Sequence, residues 1–182
     1  MSFLPEPGTP LAAYYAQTHP RIGEVLSRRS LGTLDAVTIG RYAMTIGATD
    51  PSHYDAAAAR AAGYADVVAP PNMLAAIVEW GIGTPEAQLT PDGTPNDGDM
   101  PLGDGDLGLR VMGAGEQMEL VNPVTAGTEL LLETSLEAVT PKQTRSGPCV
   151  FVTTNNMFTS ADGVVLNRNR RTVALRNPLQ ES

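Results

Sequence analysis

Residues 147–176, GPCVFVTTNNMFTSADGVVLNRNRRTVALR, hold two β-prone runs, Gly147 to Ser160 and Val164 to Arg176, joined at Ala161-Asp162-Gly163. Val, Thr and Phe suit a pleated surface, and an Asp-Gly pair between two such runs is a hairpin signal. Upstream, Glu129 to Val139 is another β-prone run, and Gly115 to Val121 alternates polar and apolar residues. Three or four antiparallel strands therefore fill the C-terminal part. The N-terminal part reads as helices: Leu11 to Gln17 between Pro10 and the His19-Pro20 break, then a helix over Ala36 to Ile46. Thr33 or Asp35 can cap that second helix, and Ala36, Ile39, Tyr42, Ala43 and Ile46 recur at helical spacing as its buried face. Gly23 to Arg29 is a β-prone link between the two. Asp55 can cap a short helix, Ala56 to Ala62, that stops at Gly63, and Met73 to Gly81 is apolar on most sides and expected to be buried. Helices followed by antiparallel strands pack as an α+β domain, a long buried helix wrapped by the sheet.

With 182 residues, the chain suits one domain with a sizeable core. A formal charge of −8, from 12 basic and 20 acidic residues, argues against nucleic acid or an anionic membrane surface as a partner. The local exception is Asn167-Arg168-Asn169-Arg170-Arg171, a basic patch that suits a phosphate or carboxylate and equally suits a solvated strand face with salt bridges. A single cysteine, Cys149, excludes an intramolecular disulfide and reads as a small core or strand residue. The start, Met1 to Pro7, lacks the basic and apolar regions of a signal peptide, and no apolar stretch reaches the length of a membrane span, so a soluble cytoplasmic protein is expected. Residues 83–108 shift to Gly, Pro, Asp and Thr and read as a long mobile loop, either a cover for a site, a contact for a second subunit, or a tolerated insertion. With His19 the only other histidine besides His53, no metal site is expected, and no phosphate-binding glycine loop is present.

The chemistry-bearing residues cluster in Ile46 to Asp55, where Asp50 and His53 place a carboxylate and an imidazole on one short loop. A carboxylate and a histidine converging on one water can activate it and return its proton, as addition of water to an activated double bond requires. Asp50-Pro51 also suits a plain turn, with the Asp bonding nearby backbone. The stretch resembles the catalytic loop of the MaoC-like (R)-specific enoyl-CoA hydratases, which have a hotdog fold. Their pattern runs Gly, Asp, any residue, Asn, Pro, any residue, His. Here Ala48 falls at the Asp position and Asp50 at the Asn position, while Pro51 and His53 match.

The resemblance extends over roughly residues 20–176. Gly115-Glu116-Gln117 and Asn122-Pro123-Val124-Thr125-Ala126-Gly127-Thr128-Glu129-Leu130 resemble the family's Pro-Val turn and strand start. Tyr54-Asp55, the alanine-rich run to Gly63-Tyr64, and Val68-Ala69-Pro70-Pro71 resemble the N-terminal, FAS1-like dehydratase branch. In that branch the mycolic-acid dehydratases and the actinobacterial steroid side-chain hydratases work as paired subunits, one catalytic and one shaping the acyl pocket. The departures here match the second kind: Ala48, Asp50, and Pro71-Asn72 where catalytic members carry His-Gly. The resemblance implies a coenzyme A thioester as substrate, no other cofactor, and a second MaoC-like subunit or else a homodimer. It also assigns Asp50 and His53 as the degenerate catalytic pair, with Pro71, Asn72, Met73 and Trp80 shaping the pocket. Phosphates of the carrier would be held by scattered Arg and Lys, in part from the partner. Three functions follow: a pocket-shaping subunit of a heteromeric hydratase in lipid or steroid side-chain metabolism, an active homodimeric hydratase, or a non-catalytic acyl-thioester binder. A hotdog thioesterase fits the loop less well. Residues 1–20 are set apart as an N-terminal extension, 21–177 as the hotdog domain and 178–182 as a tail.

Overall fold

The computed structural model describes residues 3–76, 85–89 and 107–179. Among them five strands form one antiparallel sheet in the order β1-β3-β4-β5-β2. The strands are β1 (Val25–Thr33), β2 (Arg110–Leu120), β3 (Glu129–Thr144), β4 (Gly147–Ser160) and β5 (Val165–Arg176). The β4–β5 hairpin turns at Asp162-Gly163 as expected, with Gly163 at φ +86°, a conformation that glycine adopts without a Cβ clash. The fifth strand is β1. Its segment reads as a link because two register shifts, between Val25 and Ser27 and between Ser30 and Gly32, break the alternation that marks a strand. Thr33 therefore ends β1, and Asp35 caps the next helix by accepting from the Thr38 N–H at 2.9 Å.

The helices are α1 (Pro10–Thr18), α2 (Ala36–Thr45), α3 (Ala56–Ala61) and α4 (Met73–Ala76). In α2 the buried stripe is narrower than the spacing suggests: Ile39 and Ala43 are buried and Tyr42 partly so, whereas Ala36 is exposed and Ile46, at the C-cap, is 45% exposed. Both exposed residues sit at the helix ends, where one stripe of i, i+4 residues no longer faces the core. Asp55 caps α3 through the Ala57 and Ala58 N–H groups, and Gly63 follows its end at φ +94°. The expected buried helix is described only as far as Ala76, with Met73 and Leu74 buried. Its remainder, Trp80 included, and most of the 83–108 stretch lie outside the described residues.

Period-two alternation sends one side of the sheet inward, and that face carries two apolar cores with a polar band between them. One core gathers Ile39, Met73, Leu74, Leu130, Leu132, Phe158 and Leu166, and the other Leu11, Tyr14, Leu136, Val150, Val152 and Leu175. Between them lie the buried polar residues Thr134 on β3, Thr154 and Asn156 on β4, and Asn167 and Asn169 on β5. Cys149 is buried on β4. The segment set apart in sequence as an extension contributes to the second core, because Leu11 and Tyr14 of α1 are 0% exposed against β3, β4 and β5.

Burial pushes the Tyr14 hydroxyl up to about 12, against an ordinary value near 10. A raised pKa means that the neutral form is favoured by folding. Its contribution is fully present below pH 10 and is lost as pH rises through 12. Two pK units correspond to at most about 2–3 kcal/mol. The denaturation midpoint should therefore fall between pH 10 and 12, and Tyr14→Phe should flatten that fall in urea titrations.

Candidate functional site

The loop after α2 is built around Asp50. Its carboxylate caps the 3-10 turn Pro51–His53 by accepting from the Ser52 N–H at 2.9 Å, and this bond holds its carboxyl below the ordinary carboxylate value. Upstream, the Ala48 carbonyl accepts from the Tyr54 hydroxyl, so the loop closes on itself. Downstream, the Val68 N–H donates to the Ser52 carbonyl at 3.1 Å, and His53 Nδ1 lies 2.7 Å from the Val68 carbonyl oxygen. A carbonyl only accepts, so Nδ1 carries the proton and Nε2 of the neutral ring keeps its lone pair.

The opposite wall comes from sheet topology. Strand β2 lies on one edge and β3 near the other, so residues 121–128 must cross the end of the sheet. The crossing is held where Val121 and Asn122 N–H groups donate to the Leu166 carbonyl and where Ala69 N–H donates to the Val124 carbonyl at 2.8 Å. Val68 and Thr125 form a bridge there. Between loop and crossing lies a cavity of about 400 Å³, with Asp50, His53, Pro71 and Leu74 on one side and Leu120 and Asn167 on the other.

Of the residues picked out from sequence, Asp50, His53 and Pro71 line this cavity. Ala48, Asn72 and Met73 are not among its walls, and Met73 is instead 0% exposed in the apolar core, where the first turn of α4 packs on the sheet. Trp80 lies outside the described residues. Sequence reasoning missed Asn167, which it folded into a basic patch. Alternation separates the two: Arg168 and Arg170 point outward and pair with Glu119 and Glu137, while Asn167 and Asn169 point inward. The patch is thus a strand face with cross-strand ion pairs. Among the described residues no cluster of His, Cys, Asp or Glu could hold a metal ion, and no helix is long and apolar enough to cross a membrane.

If Asp50 serves as a cap, Asp50→Asn should leave thermal stability unchanged, because Asn caps equally well, whereas Asp50→Ala should lower the midpoint. Circular-dichroism melts of the two variants separate this role from one that needs a carboxylate.

A hotdog sheet with a cavity against its loop segment defines the class of protein, and solved structures of that class align closely. The ChsH1–ChsH2 complex of Mycobacterium tuberculosis aligns with a TM-score of 0.71 and 21% identity over 94% of this chain and 93% of that chain. A MaoC-like dehydratase of Rhodospirillum rubrum aligns at 0.55 and 26%, over 84% and 90%. The model of the FAS1-like dehydratase domain region matches residues 22–168, and the chain belongs to this family. A UPF0336 protein of Streptomyces griseus is 35% identical over 104 residues, 56% of this chain and 59% of that protein. The match thus spans about three-fifths of that relative's length.

Proposed function

We propose that this chain is one subunit of a heteromeric enoyl-thioester hydratase, shaping the acyl cavity while a second hotdog chain supplies the acid–base pair. The observation that carries this reading is the role of Asp50: among the described residues it is the one carboxylate lining the cavity beside His53, and it is bound to the Ser52 N–H with its pKa lowered, so it holds loop shape. General acid–base work favours a group whose pKa lies near the working pH, and a depressed carboxyl is the reverse. Edge strand β2 adds support for pairing, since Val111, Met112 and Leu120 are 44%, 45% and 55% exposed on a strand that, among the described residues, pairs only with β5. The neighbour from M. tuberculosis is itself a complex of two chains, which also favours pairing. The substrate class is a coenzyme A thioester with a lipid or steroid side-chain acyl group. Arg28, Arg168 and Arg170 are engaged by Glu133, Glu119 and Glu137, so the carrier phosphates fall to other cations, including those of the partner.

A second reading, an active homodimer, is favoured by one observation, the Nδ1–H to Val68 bond that leaves His53 Nε2 free to accept a proton. Native mass with and without a co-expressed neighbouring hotdog chain, followed by hydration assays with crotonyl-CoA and a bulky enoyl-CoA, decides between them. Full activity of the lone chain, abolished by His53→Ala, would establish the second.

A further inference from the structure

The buried polar residues on the inner face of the sheet stand in a row. Strand register aligns Thr134 on β3 with Asn156 on β4 and Asn169 on β5, and all three are buried. Two residues along each strand, on the cavity side, the same register aligns Leu132, Phe158, Asn167 and Leu120. Among the described residues Asn167 and Leu120 line the cavity, whereas no member of the polar row does. On this side the cavity stops at the row, and past it the apolar face resumes with Leu136, Val150 and Val152.

Apolar side chains in that row would join the two cores and leave no polar group to satisfy. Instead the region carries a hydrogen-bonding demand that the protein meets only in part. Thr134 Oγ1 donates to Asn156 Oδ1 and Asn169 Nδ2 donates to Glu116 Oε1. Both side-chain polar atoms of Asn167, Asn169 Oδ1, and Ser52 Oγ on the loop wall find no partner among the described residues. The demand is shared by three residues, so it marks a polar region and not a single contact. Water meets such a demand, whereas hydrocarbon pressed against it leaves the amides unmet at high cost.

We propose that Asn167 and the polar row behind it are an acyl-length stop: a straight acyl chain gains affinity with length until it reaches the amides and gains nothing beyond them. This rests on the hydratase-subunit reading and deepens it by limiting the size of the acyl group. Two magnitudes place the stop. A volume of about 400 Å³ holds about 13 groups the size of a water or a methylene, at about 30 Å³ each. The thioester and the end of its carrier take some of that room, leaving about 8 to 10 carbons. Each methylene buried against Leu74, Val124 and Leu166 should tighten binding about fourfold. A methylene that reaches Asn167 strips water from an amide and offers no hydrogen bond in return.

The test is calorimetric binding of saturated straight-chain thioesters, from butanoyl-CoA to tetradecanoyl-CoA, to the full chain, alone and with its partner. In wild type the affinity should climb about fourfold per methylene and level off at about 8 to 10 carbons. Val and Thr have nearly the same shape and differ by a hydroxyl, so Asn167→Val and Asn167→Thr separate polarity from bulk. Asn167→Val should move the plateau out by at least about two carbons, and Asn167→Thr should leave it within about one. Asn167→Ala and Asn167→Ser form a second pair of matched size, with the same expectation, should melts show that a β-branched variant does not fold. An unbroken climb in wild type overturns the stop and leaves the hydratase reading standing if enoyl-CoA is still hydrated. Equal shifts in both members of a pair overturn it as well, because bulk and not polarity then ends the cavity. A plateau that moves in neither member does the same, because the chain then never reaches Asn167. Failure to bind any thioester in any assembly overturns both readings together.

Discussion

Hydration of an enoyl thioester by this chain alone should run at least about a hundredfold slower than by the chain joined to a hotdog partner that carries an Asp and a His. General acid–base groups contribute roughly 10²- to 10⁴-fold each when correctly placed. Ala48 cannot move a proton, and Asp50 is fixed two residues further on in its bond to Ser52. Even about 1 Å of misplacement can cost a hundredfold, so the surviving carboxylate is a poor substitute. His53 alone offers one acceptor at Nε2 and no correctly placed second group. If the partner carries the proton traffic, as proposed, His53→Ala in the assembled pair should change kcat by less than about threefold. A much larger loss in the pair would move the chemistry to this chain. The decisive numbers are the initial rates of the lone chain, the pair, and the pair with His53→Ala.

The parts of the fold that local pattern could announce were announced. Gly147 to Ser160 and the Asp162-Gly163 turn depend on alternation and turn chemistry confined to neighbouring residues. The caps at Asp35 and Asp55 follow from a short side chain reaching the next backbone N–H groups, again a local matter. Strand β1 escaped because its bulges erase the alternation and its stability comes from β3, about a hundred residues away. The candidate site was half readable. Asp50 and His53 sit in one short stretch, but the opposite wall exists only because the 121–128 crossing spans the sheet end, which no window of sequence contains. Asn167 was hidden in plain view. Reading residues 167–171 by alternation, instead of by charge, separates two inward amides from two outward guanidiniums.

Phe158→Ala should cost about 3–5 kcal/mol, the range for removing a large aromatic side chain from a packed core. Phe158 is 0% exposed and belongs to the apolar core with Ile39, Met73, Leu130 and Leu166. For a domain of this size that cost lowers the melting midpoint by about 6–20 °C. Leu179→Ala, at a residue 72% exposed, should stay within about 0.5 kcal/mol and serves as the surface control. The same substitution also reports on the site. Phe158 pairs across the β4–β5 ladder with Asn167, so the void left by its ring opens beside the floor of the cavity. If the core and the cavity share that floor, a melt with saturating acyl thioester should recover less stability in Phe158→Ala than in wild type, since ligand stabilisation scales with affinity. If the ligand shift is unchanged while the unliganded midpoint falls, the core is decoupled from the cavity and the acyl group is gripped by the loop side alone, through Pro71, Leu74 and the 50–53 turn.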